Sequence, residues 1–340
     1  MKISDHFKKI LIGKDSFTDI LAQDKIKQQL NSALISGRNV IIVGPPGIGK
    51  TTLAKNVSKL LPEMEVNDCG YNCDPKNPIC PKCLSGEKVN TKKISGNDRF
   101  VRVQGSPDLT AEDLLGDIDP VMALKYGPLS EKAFSPGKIF KANNGVLFFD
   151  ELNRSPEKLQ NAMLQVLEEK TVTIGSYVMD FNVNFIFIGT MNPTDRTTEE
   201  LSDVFVDRFD FIYMEYPKEL ETEIDIVKAN GKKIVNFDET LLERTIKFVR
   251  VIRESPKLEK KPSVRASLGL YERAQANAYL RGKKEVEFKD VMNAVKSVLV
   301  HRIRLKASVK YMMDANTFIS EQFAQFCENE HIEGKQSDLG

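Results

Sequence analysis

Hydrophobic and polar positions alternate in blocks along the first two thirds of the chain. Three of the apolar blocks are short, continuous and bounded by polar residues: Val40–Val43, Val146–Phe149 and Phe185–Ile188. Runs of this kind are typical of strands that are buried on both faces. Residues 24–36 instead carry apolar side chains at helical spacing. Because strand patterns alternate with helix patterns, the sequence predicts an α/β fold with a parallel sheet sandwiched by helices.

The pattern changes after Pro217. Strand signals almost vanish, and helical periodicity continues to about Phe326. We therefore expect an α/β domain over residues 1–217 and a smaller all-helical domain over residues 218–340. Within the first domain, residues 171–181 alternate in the manner of a β-hairpin that turns at Gly175 and Ser176.

Composition restricts the class of protein. The chain has 340 residues, 41% of them hydrophobic and 29% charged, which is ordinary for a globular protein with two cores. Its longest apolar runs are too short to span a bilayer, and its first residues lack the apolar core of a secretory signal. These features favour a cytoplasmic location without a membrane span. The net charge of +1 does not imply a nucleic-acid partner.

A phosphate-binding motif lies between the first predicted strand and the next helix. Residues 44–51, here called the phosphate loop, fit the pattern G-x-x-x-x-G-K-[ST] in the context that the motif requires. In such loops backbone N–H groups surround phosphate oxygens, the lysine (Lys50) reaches the β- and γ-phosphates, and the next hydroxyl (Thr51) binds Mg²⁺. A chance glycine-rich turn is the competing interpretation. The predicted nucleotide-binding residues are Gly44, Pro45, Pro46, Gly47, Ile48, Gly49, Lys50, Thr51 and Thr52.

Two adjacent carboxylates follow the apolar run that ends at Phe149. An Asp-Glu pair alone is most often the start of a solvated loop. Beside a phosphate loop, Asp150 is predicted to bind the magnesium ion and Glu151 to polarise the attacking water as a general base.

These motifs together resemble those of an AAA+ ATPase. The phosphate loop corresponds to Walker A, and similar segments are Asp150-Glu151 with the following Leu-Asn-Arg-Ser-Pro, Gly189-Thr-Met-Asn-Pro193 and Asp207-Arg-Phe209. Residues 100–136 and 171–181 resemble the helix-2 insert and the pre-sensor hairpin of the branch that contains the MoxR ATPases and the magnesium-chelatase ATPase subunit. Residues 262–267 and 300–303 resemble the MoxR lid. The resemblance covers about Phe17 to Leu305.

The resemblance implies further site residues. Asn192 matches sensor 1, which orients the attacking water, although an ordinary Asn-Pro turn has the same sequence. Arg208 matches the arginine finger that enters a neighbouring subunit's site, against the alternative of an exposed surface arginine. Arg265 matches the sensor 2 arginine of the lid, against a salt bridge at a helix start. Arg154 is interpreted as an interface residue or a second contact in trans.

Four of the five cysteines form a cluster that departs from the MoxR pattern. Cys69, Cys73, Cys80 and Cys83 lie within an insert at residues 67–85, and Cys327 is far away in the sequence. Four soft ligands in a short loop favour a closed structural Zn²⁺ site. Two disulfides are the main competing interpretation, and free thiols are the third. Because no histidine is nearby, we do not expect a catalytic zinc.

The resemblance implies ATP and Mg²⁺ as cofactors, a ring, here expected to be a hexamer, and a client or adaptor protein. The first hypothesis is a MoxR-like ATPase that remodels, assembles or inserts metal into a client protein. The second is the ATPase subunit of a magnesium-chelatase-type complex. The third is a nucleic-acid motor of the same branch, which the lack of a basic stripe disfavours. A partner with a von Willebrand A-type domain would be a separate chain.

Overall fold

The computed structural model describes residues 3–12, 17, 19–127, 130, 133–169, 182–193 and 201–331. The chain divides into two compact units. The first contains Met1–Gly44 and Gly49–Met214, and the second contains Pro45–Ile48 and Glu215–Gly340. The second unit begins two residues before Pro217, where the sequence pattern changes. Residues 45–48, which are part of the phosphate loop, belong to the second unit.

The first unit is built around a sheet of five parallel strands, which confirms the predicted fold class. Along the chain the strands are β1 (Asn39–Val43), β4 (Phe100–Gln104), β7 (Val146–Asp150), β8 (Ile186–Met191) and β9 (Phe209–Tyr213). Their order across the sheet is β4-β7-β8-β1-β9, with every neighbouring pair parallel. The predicted apolar runs at 40–43 and 146–149 are buried throughout, as expected for strands covered on both faces.

Short antiparallel pairs complete the strands. They are β2 (Met64–Asn67) with β3 (Thr91–Ile94), β5 (Gly116–Ile118) with β6 (Phe134–Pro136), and β10 (Leu258–Lys260) with β11 (Arg304–Leu305). The pair β5–β6 lies in the expected helix-2 insert. The predicted hairpin at 171–181 lies outside the described residues.

Helices α2, α3 and α7 contact the sheet in the first unit, and helices form the core of the second. In the first unit they are α1 (Ile3–Ile10), α2 (Asp24–Ser36), α3 (Lys50–Lys59), α4 (Pro81–Leu84), α5 (Ala111–Leu115), α6 (Pro120–Tyr126), α7 (Lys138–Lys141), α8 (Glu157–Glu169) and α9 (Asp203–Val206). In the second they are α10 (Leu220–Asn230), α11 (Glu239–Glu254), α12 (Val264–Leu280), α13 (Phe288–Leu299), α14 (Ala307–Lys310) and α15 (Ala315–Asn329). Among the described residues, no helix is long and apolar enough to cross a membrane.

A buried ion pair joins the helices of the second unit. The carboxylate of Glu223 on α10 is fully buried and accepts two hydrogen bonds from Arg253 on α11, at 2.7 and 2.8 Å. Ser267 on α12 donates a third at 2.6 Å. Burial acts to raise the pKa of Glu223, but the hydrogen bonds and charge of Arg253 outweigh it and hold that pKa below its usual range. The pair therefore fixes the start of α12, the helix that carries Arg265.

Candidate active site

The phosphate loop connects β1 to α3 at the carboxyl edge of the sheet. The Gly44 N–H donates to the Met191 carbonyl at 3.1 Å, which ties the start of the loop to the end of β8. Gly47 and Gly49 have φ angles of 78° and 97°, a region that favours glycine. Helix α3 begins immediately afterwards at Lys50. The loop therefore ends at a helix N-terminus, which suits an anion.

Lys50 folds back over the loop, where its Nζ donates to the Gly44 carbonyl at 2.5 Å. Thr51 and Thr52 follow in the first turn of α3. The loop carbonyl holds the ammonium group beside the glycine-rich turn. Gly44 and Gly49–Thr52 of the phosphate loop thus lie together in the first unit.

Asp150 is the last residue of β7, and each of its carboxylate oxygens contacts another side chain. Its Oδ1 accepts a hydrogen bond from the Thr190 hydroxyl at 2.6 Å. Its Oδ2 pairs with Arg102 Nη2, also at 2.6 Å, and the side chain is 13% exposed. Both oxygens are hard ligands of the type that Mg²⁺ prefers, so the residues fit the predicted magnesium site.

Glu151 adopts the left-handed conformation, with φ 55°, at the turn that follows β7. Its backbone N–H donates to the Thr190 hydroxyl oxygen at 2.9 Å. Its Oε2 accepts a hydrogen bond from Gln104 Nε2 at 2.9 Å and pairs with Arg154 Nη1 at 2.8 Å. Glu151 is therefore held at both its backbone and its carboxylate.

Thr190 is a site residue that the sequence motifs did not indicate. It is fully buried near the end of β8, and its hydroxyl donates to Asp150 while accepting from the Glu151 N–H. A single side chain therefore orients both carboxylate residues. The sequence did contain one indication of this role. Thr190 is a hydroxyl residue at the end of an apolar strand, two positions before Asn192.

Three further residues of the site come from β4 and the turn after it. Arg102 and Gln104 are exposed on one face of this edge strand, and Gly105 follows them. The Gly105 N–H donates to the Asp150 carbonyl at 2.7 Å. A Cβ at Gly105 would lie 2.0 Å from the Glu151 carbonyl oxygen, so no larger residue fits without moving Glu151. The sequence pattern indicated a strand near Phe100 but no role for it in the site.

Asn192 follows β8, the strand between β7 and β1. Its carbonyl accepts a hydrogen bond from Asn153 Nδ2 at 3.5 Å. Asn153 lies in the turn that follows Glu151. The residue matched to sensor 1 therefore adjoins the segment that carries the carboxylates.

Arg208 lies elsewhere in the first unit, between α9 and β9. Its guanidinium pairs with Glu168 near the end of α8 and donates to the Val204 carbonyl. The side chain is 24% exposed, and its buried Nε has no hydrogen-bond partner among the described residues. Among the described residues, Arg208 therefore pairs with α8 and α9 and not with Asp150 or Glu151.

Arg265 lies in the second unit, in the first turn of α12. Its backbone N–H donates to the side chain of Ser263, which caps the helix, and its own side chain is exposed. A Cβ built on Gly47, which belongs to the same unit, would lie 2.7 Å from Ser263 Oγ and 3.1 Å from Arg265 Cγ. Within this unit, Arg265 therefore adjoins the tip of the phosphate loop. Burial lowers the pKa of Arg302, and the nearby charge of Arg265 lowers it further.

The cysteine loop, defined as Cys69–Cys83 between β2 and β3, brings its four sulfur atoms together. The four lie within 4.8 Å of one another. None of the five cysteines, all within the described residues, forms a disulfide. A tetrahedral zinc with Zn–S bonds of about 2.3 Å would separate its sulfurs by about 3.8 Å, so a small contraction completes such a site.

Hydrogen bonds reach the sulfurs from the backbone and from one another. Backbone N–H groups of Ile79 and Cys80 donate to the Cys73 sulfur at 3.3 and 3.4 Å. The pKa of Cys69 is lowered to about 4, chiefly because the Cys73 side chain donates a hydrogen bond to its sulfur. The hydrogen bond to Cys69 raises the pKa of Cys73, and burial raises the pKa of Cys80 to about 12. Charge on one sulfur thus disfavours charge on its neighbours, and a cation would compensate several thiolates at once.

The cysteine loop is anchored to the segments that lead into β7 and β8. Tyr71 packs edge-on against Phe140 of α7, with ring centroids 5.1 Å apart. Asn143, just before β7, donates its side-chain N–H to the Tyr71 carbonyl at 3.2 Å. The same side chain accepts from the Asn184 N–H, before β8, at 3.0 Å. The loop is therefore attached to the segments that enter β7 and β8, the two strands that carry the carboxylates and Thr190.

Family models match three successive parts of the chain. Residues 16–73 match the magnesium chelatase subunit ChlI model. Residues 78–211 match the model of the ATPase family associated with various cellular activities (AAA), and residues 252–321 match the AAA lid domain. The resemblance stated from the motifs is confirmed, including the helical lid.

Individual relatives agree with these models. Magnesium-chelatase subunit ChlI-2 of Arabidopsis thaliana is 28% identical over 90% of this chain and 79% of its own length. The uncharacterised protein YeaC of Bacillus subtilis is 24% identical, over 91% of this chain and 88% of its own. A solved RuvB mutant of Thermotoga maritima shares the fold, with a TM-score of 0.52 at 14% identity, covering 94% of this chain and 86% of that one.

The double role of Thr190 leads to a testable prediction. We expect Thr190→Val to lower ATP turnover by about tenfold or more, because Glu151 and Asp150 lose the hydroxyl that orients them. Nucleotide affinity should change little, and Thr190→Ser should restore most of the turnover. The measurement is steady-state hydrolysis beside equilibrium binding of a fluorescent ATP analogue.

Thr245→Val is the matched control for this prediction. It removes a buried threonine hydroxyl whose one hydrogen bond among the described residues is to the Leu241 carbonyl in its own helix, at 2.7 Å. It should leave turnover unchanged. Wild-type turnover in Thr190→Val would show that the hydroxyl does not orient the carboxylates.

Proposed function

We propose that this chain, an AAA+ ATPase related to the magnesium-chelatase ChlI subunits, works as a MoxR-like hexameric ring. In this proposal, hydrolysis of MgATP between subunits drives the remodelling, assembly or metal loading of a client protein. The observation that supports this proposal is that Gly44, Lys50 and Thr51 lie at the same edge of the sheet as Asp150 and Glu151. Strands β1, β8 and β7 are adjacent there, which brings the phosphate site beside the two carboxylates.

The residues divide the catalytic work between them. Backbone N–H groups of the phosphate loop and Lys50 bind the phosphates, and the Thr51 hydroxyl and Asp150 hold Mg²⁺. The metal neutralises charge on the phosphate oxygens when it is bound. Glu151 accepts the proton of the attacking water, which Asn192 helps to orient. Arg265 contacts the phosphates from the lid.

Arg208 is assigned to the site of a neighbouring subunit. Its buried Nε lacks a partner among the described residues, and its pairing with Glu168 leaves it partly exposed. A guanidinium in this position is available to stabilise charge on the γ-phosphate across an interface. Head-to-tail contacts of this kind close into rings when the rotation between subunits allows it. Arg154 pairs with Glu151 in its own chain and is proposed as an additional interface residue.

Relatives favour a specific alternative for the client. Two relatives, ChlI-2 of Arabidopsis thaliana and the 38 kDa subunit of Acidiphilium rubrum, are named as subunits of magnesium chelatase. Substituting this chain for the 38 kDa subunit of the Acidiphilium rubrum enzyme in a magnesium-insertion assay separates the two hypotheses. Restored insertion would establish the chelatase role. A nucleic-acid motor is supported by no specific observation. A von Willebrand A-type partner and a cytoplasmic site of action stay predictions from the sequence.

We propose that the cysteine loop holds a structural zinc ion. The four clustered sulfurs and their N–H···S hydrogen bonds support this proposal. The hairpin of β2 and β3 has only four residues per strand, too few for independent stability. A metal cross-link at the tip of this hairpin would therefore stabilise the attachment of the loop to the segments that enter β7 and β8.

Lys50 and Glu151 should act at different stages. Lys50→Ala should abolish nucleotide binding, since Lys50 contacts phosphates in the ground state. Glu151→Gln should retain bound ATP and slow hydrolysis by about 10²–10⁴-fold, because Glu151 acts on the water. Equilibrium binding and turnover of both variants are the measurements. Lys59→Ala, at the far end of the same helix, should resemble wild type. Equal loss of binding in both site variants would contradict the division of roles.

Mixed rings test the trans position of Arg208. Arg208→Ala and Glu151→Gln subunits should each be inactive, and their mixture should regain hydrolysis where a wild-type Arg208 meets a wild-type Glu151. The gain should be visible, because a trans arginine contributes about 10³–10⁵-fold in related phosphoryl transfers. The assay is ATP turnover at a concentration where light scattering shows assembly with ATP.

The control mixture combines Arg208→Ala with the double variant Arg208→Ala/Glu151→Gln. It contains no wild-type Arg208 and should stay inactive. A cis role predicts no rescue in the first mixture, and an exposed arginine without function predicts full activity of Arg208→Ala alone. A monomer that turns over ATP at an undiminished rate would refute the ring.

Metal analysis tests the zinc proposal. Reduced protein purified with zinc should contain one zinc ion per chain, and Cys83→Ser should contain much less. Cys327→Ser, which changes the cysteine outside the cluster, should keep the full amount. Chelation should also lower the melting temperature of the protein, because zinc binding stabilises the folded loop. Metal-free protein with four titratable thiols in the loop would end the proposal.

A further inference from the structure

Arg102 is a charged residue at the site to which the proposed mechanism gives no role. It lies on the edge strand β4, and its side chain is 52% exposed. Its Nη2 pairs with Asp150 Oδ2 at 2.6 Å and also donates to Gln104 Oε1 at 3.2 Å. Gln104 in turn donates to Glu151. Arg102 therefore contacts one carboxylate directly and the other through a single side chain.

The pair between Arg102 and Asp150 differs from an ordinary surface ion pair. Asp150 is 13% exposed, and its other oxygen is already occupied by the hydroxyl of Thr190. A partly buried carboxylate keeps more of its attraction to a cation than an exposed one does. Arg102 occupies Oδ2, the oxygen to which Thr190 does not donate.

We propose that Arg102 is a positioning residue that competes with Mg²⁺ for Asp150. In the arrangement seen here, the guanidinium neutralises the carboxylate and holds it in place. Binding of the metal with nucleotide then requires Arg102 to withdraw from Oδ2, since two cations at one carboxylate repel each other. The inference rests on the proposed magnesium role of Asp150.

The test measures how much Mg²⁺ is needed for nucleotide binding. A fluorescent, non-hydrolysable ATP analogue is titrated with Mg²⁺ on the full chain, and the half-saturating Mg²⁺ concentration is read from anisotropy. Arg102→Gln should lower that concentration by about two- to fivefold, the range expected for losing one partly exposed ion pair. Arg102→Met, which keeps much of the aliphatic stem, should do the same. Arg102→Lys should lie nearer to wild type because it keeps the charge.

Arg38→Gln is the matched control. Arg38 pairs with Asp210 at 3.2 Å and is 53% exposed, but it precedes β1 and so lies at the opposite end of the strands. Arg38→Gln changes the net charge by the same amount as Arg102→Gln. It should leave the half-saturating Mg²⁺ concentration unchanged. A purely structural role for Arg102 would lower the melting temperature of the variants without shifting that concentration.

The outcomes separate this inference from the proposed function. Wild-type binding that does not depend on Mg²⁺ would contradict the magnesium role of Asp150. A second outcome concerns Arg102 alone. If wild-type binding depends on Mg²⁺ but folded Arg102→Gln or Arg102→Met needs the same or a higher Mg²⁺ concentration, Arg102 does not compete with the metal. The magnesium role of Asp150 would then stand. An increased requirement would mean that Arg102 assists the metal.

Discussion

The parallel alignment of β7 beside β8 is the constraint on which the rest of the site depends. Its register pairs Phe149 with Gly189, so Asp150 and Thr190 emerge side by side where the strands end. The interior of these strands is apolar and buried on both faces, which excludes charged groups from it. Polar chemistry is therefore confined to the strand ends. Pairing of β8 with β1 then brings the phosphate loop to the same edge.

Features formed by residues that are close together in the sequence could be predicted from it. The phosphate loop, the Asp150–Glu151 pair and the cysteine cluster each lie within a short segment whose spacing carries the chemistry. The hydroxyl of Thr190 and the guanidinium of Arg102 could not be assigned, because their partner Asp150 is 40 and 48 residues away. Only strand order and register bring such residues together. The need for glycine at position 105 likewise arises from the close approach of the Glu151 backbone.

The cysteine loop shows how a small insert is supported by the larger core. Cys73 and Cys80 are fully buried and belong to the same apolar cluster as Phe140 and Leu147. The side chain of Asn143 links the loop to the starts of β7 and β8. Sequence spacing indicated a metal-binding cluster but contained no information about this attachment. The packing makes the loop a continuation of the core rather than an independent module.

Charge balance explains the arrangement of the arginines in a single chain. Arg102 and Arg154 pair with the two carboxylates of the site, and Arg208 pairs with Glu168. Glu168 is 51% exposed, so water solvates much of its charge and the pair with Arg208 contributes little stability. Such a partner can be exchanged at small cost in free energy, whereas the more buried Asp150 holds its arginine more firmly. The degree of burial of each carboxylate therefore determines how readily its arginine is released.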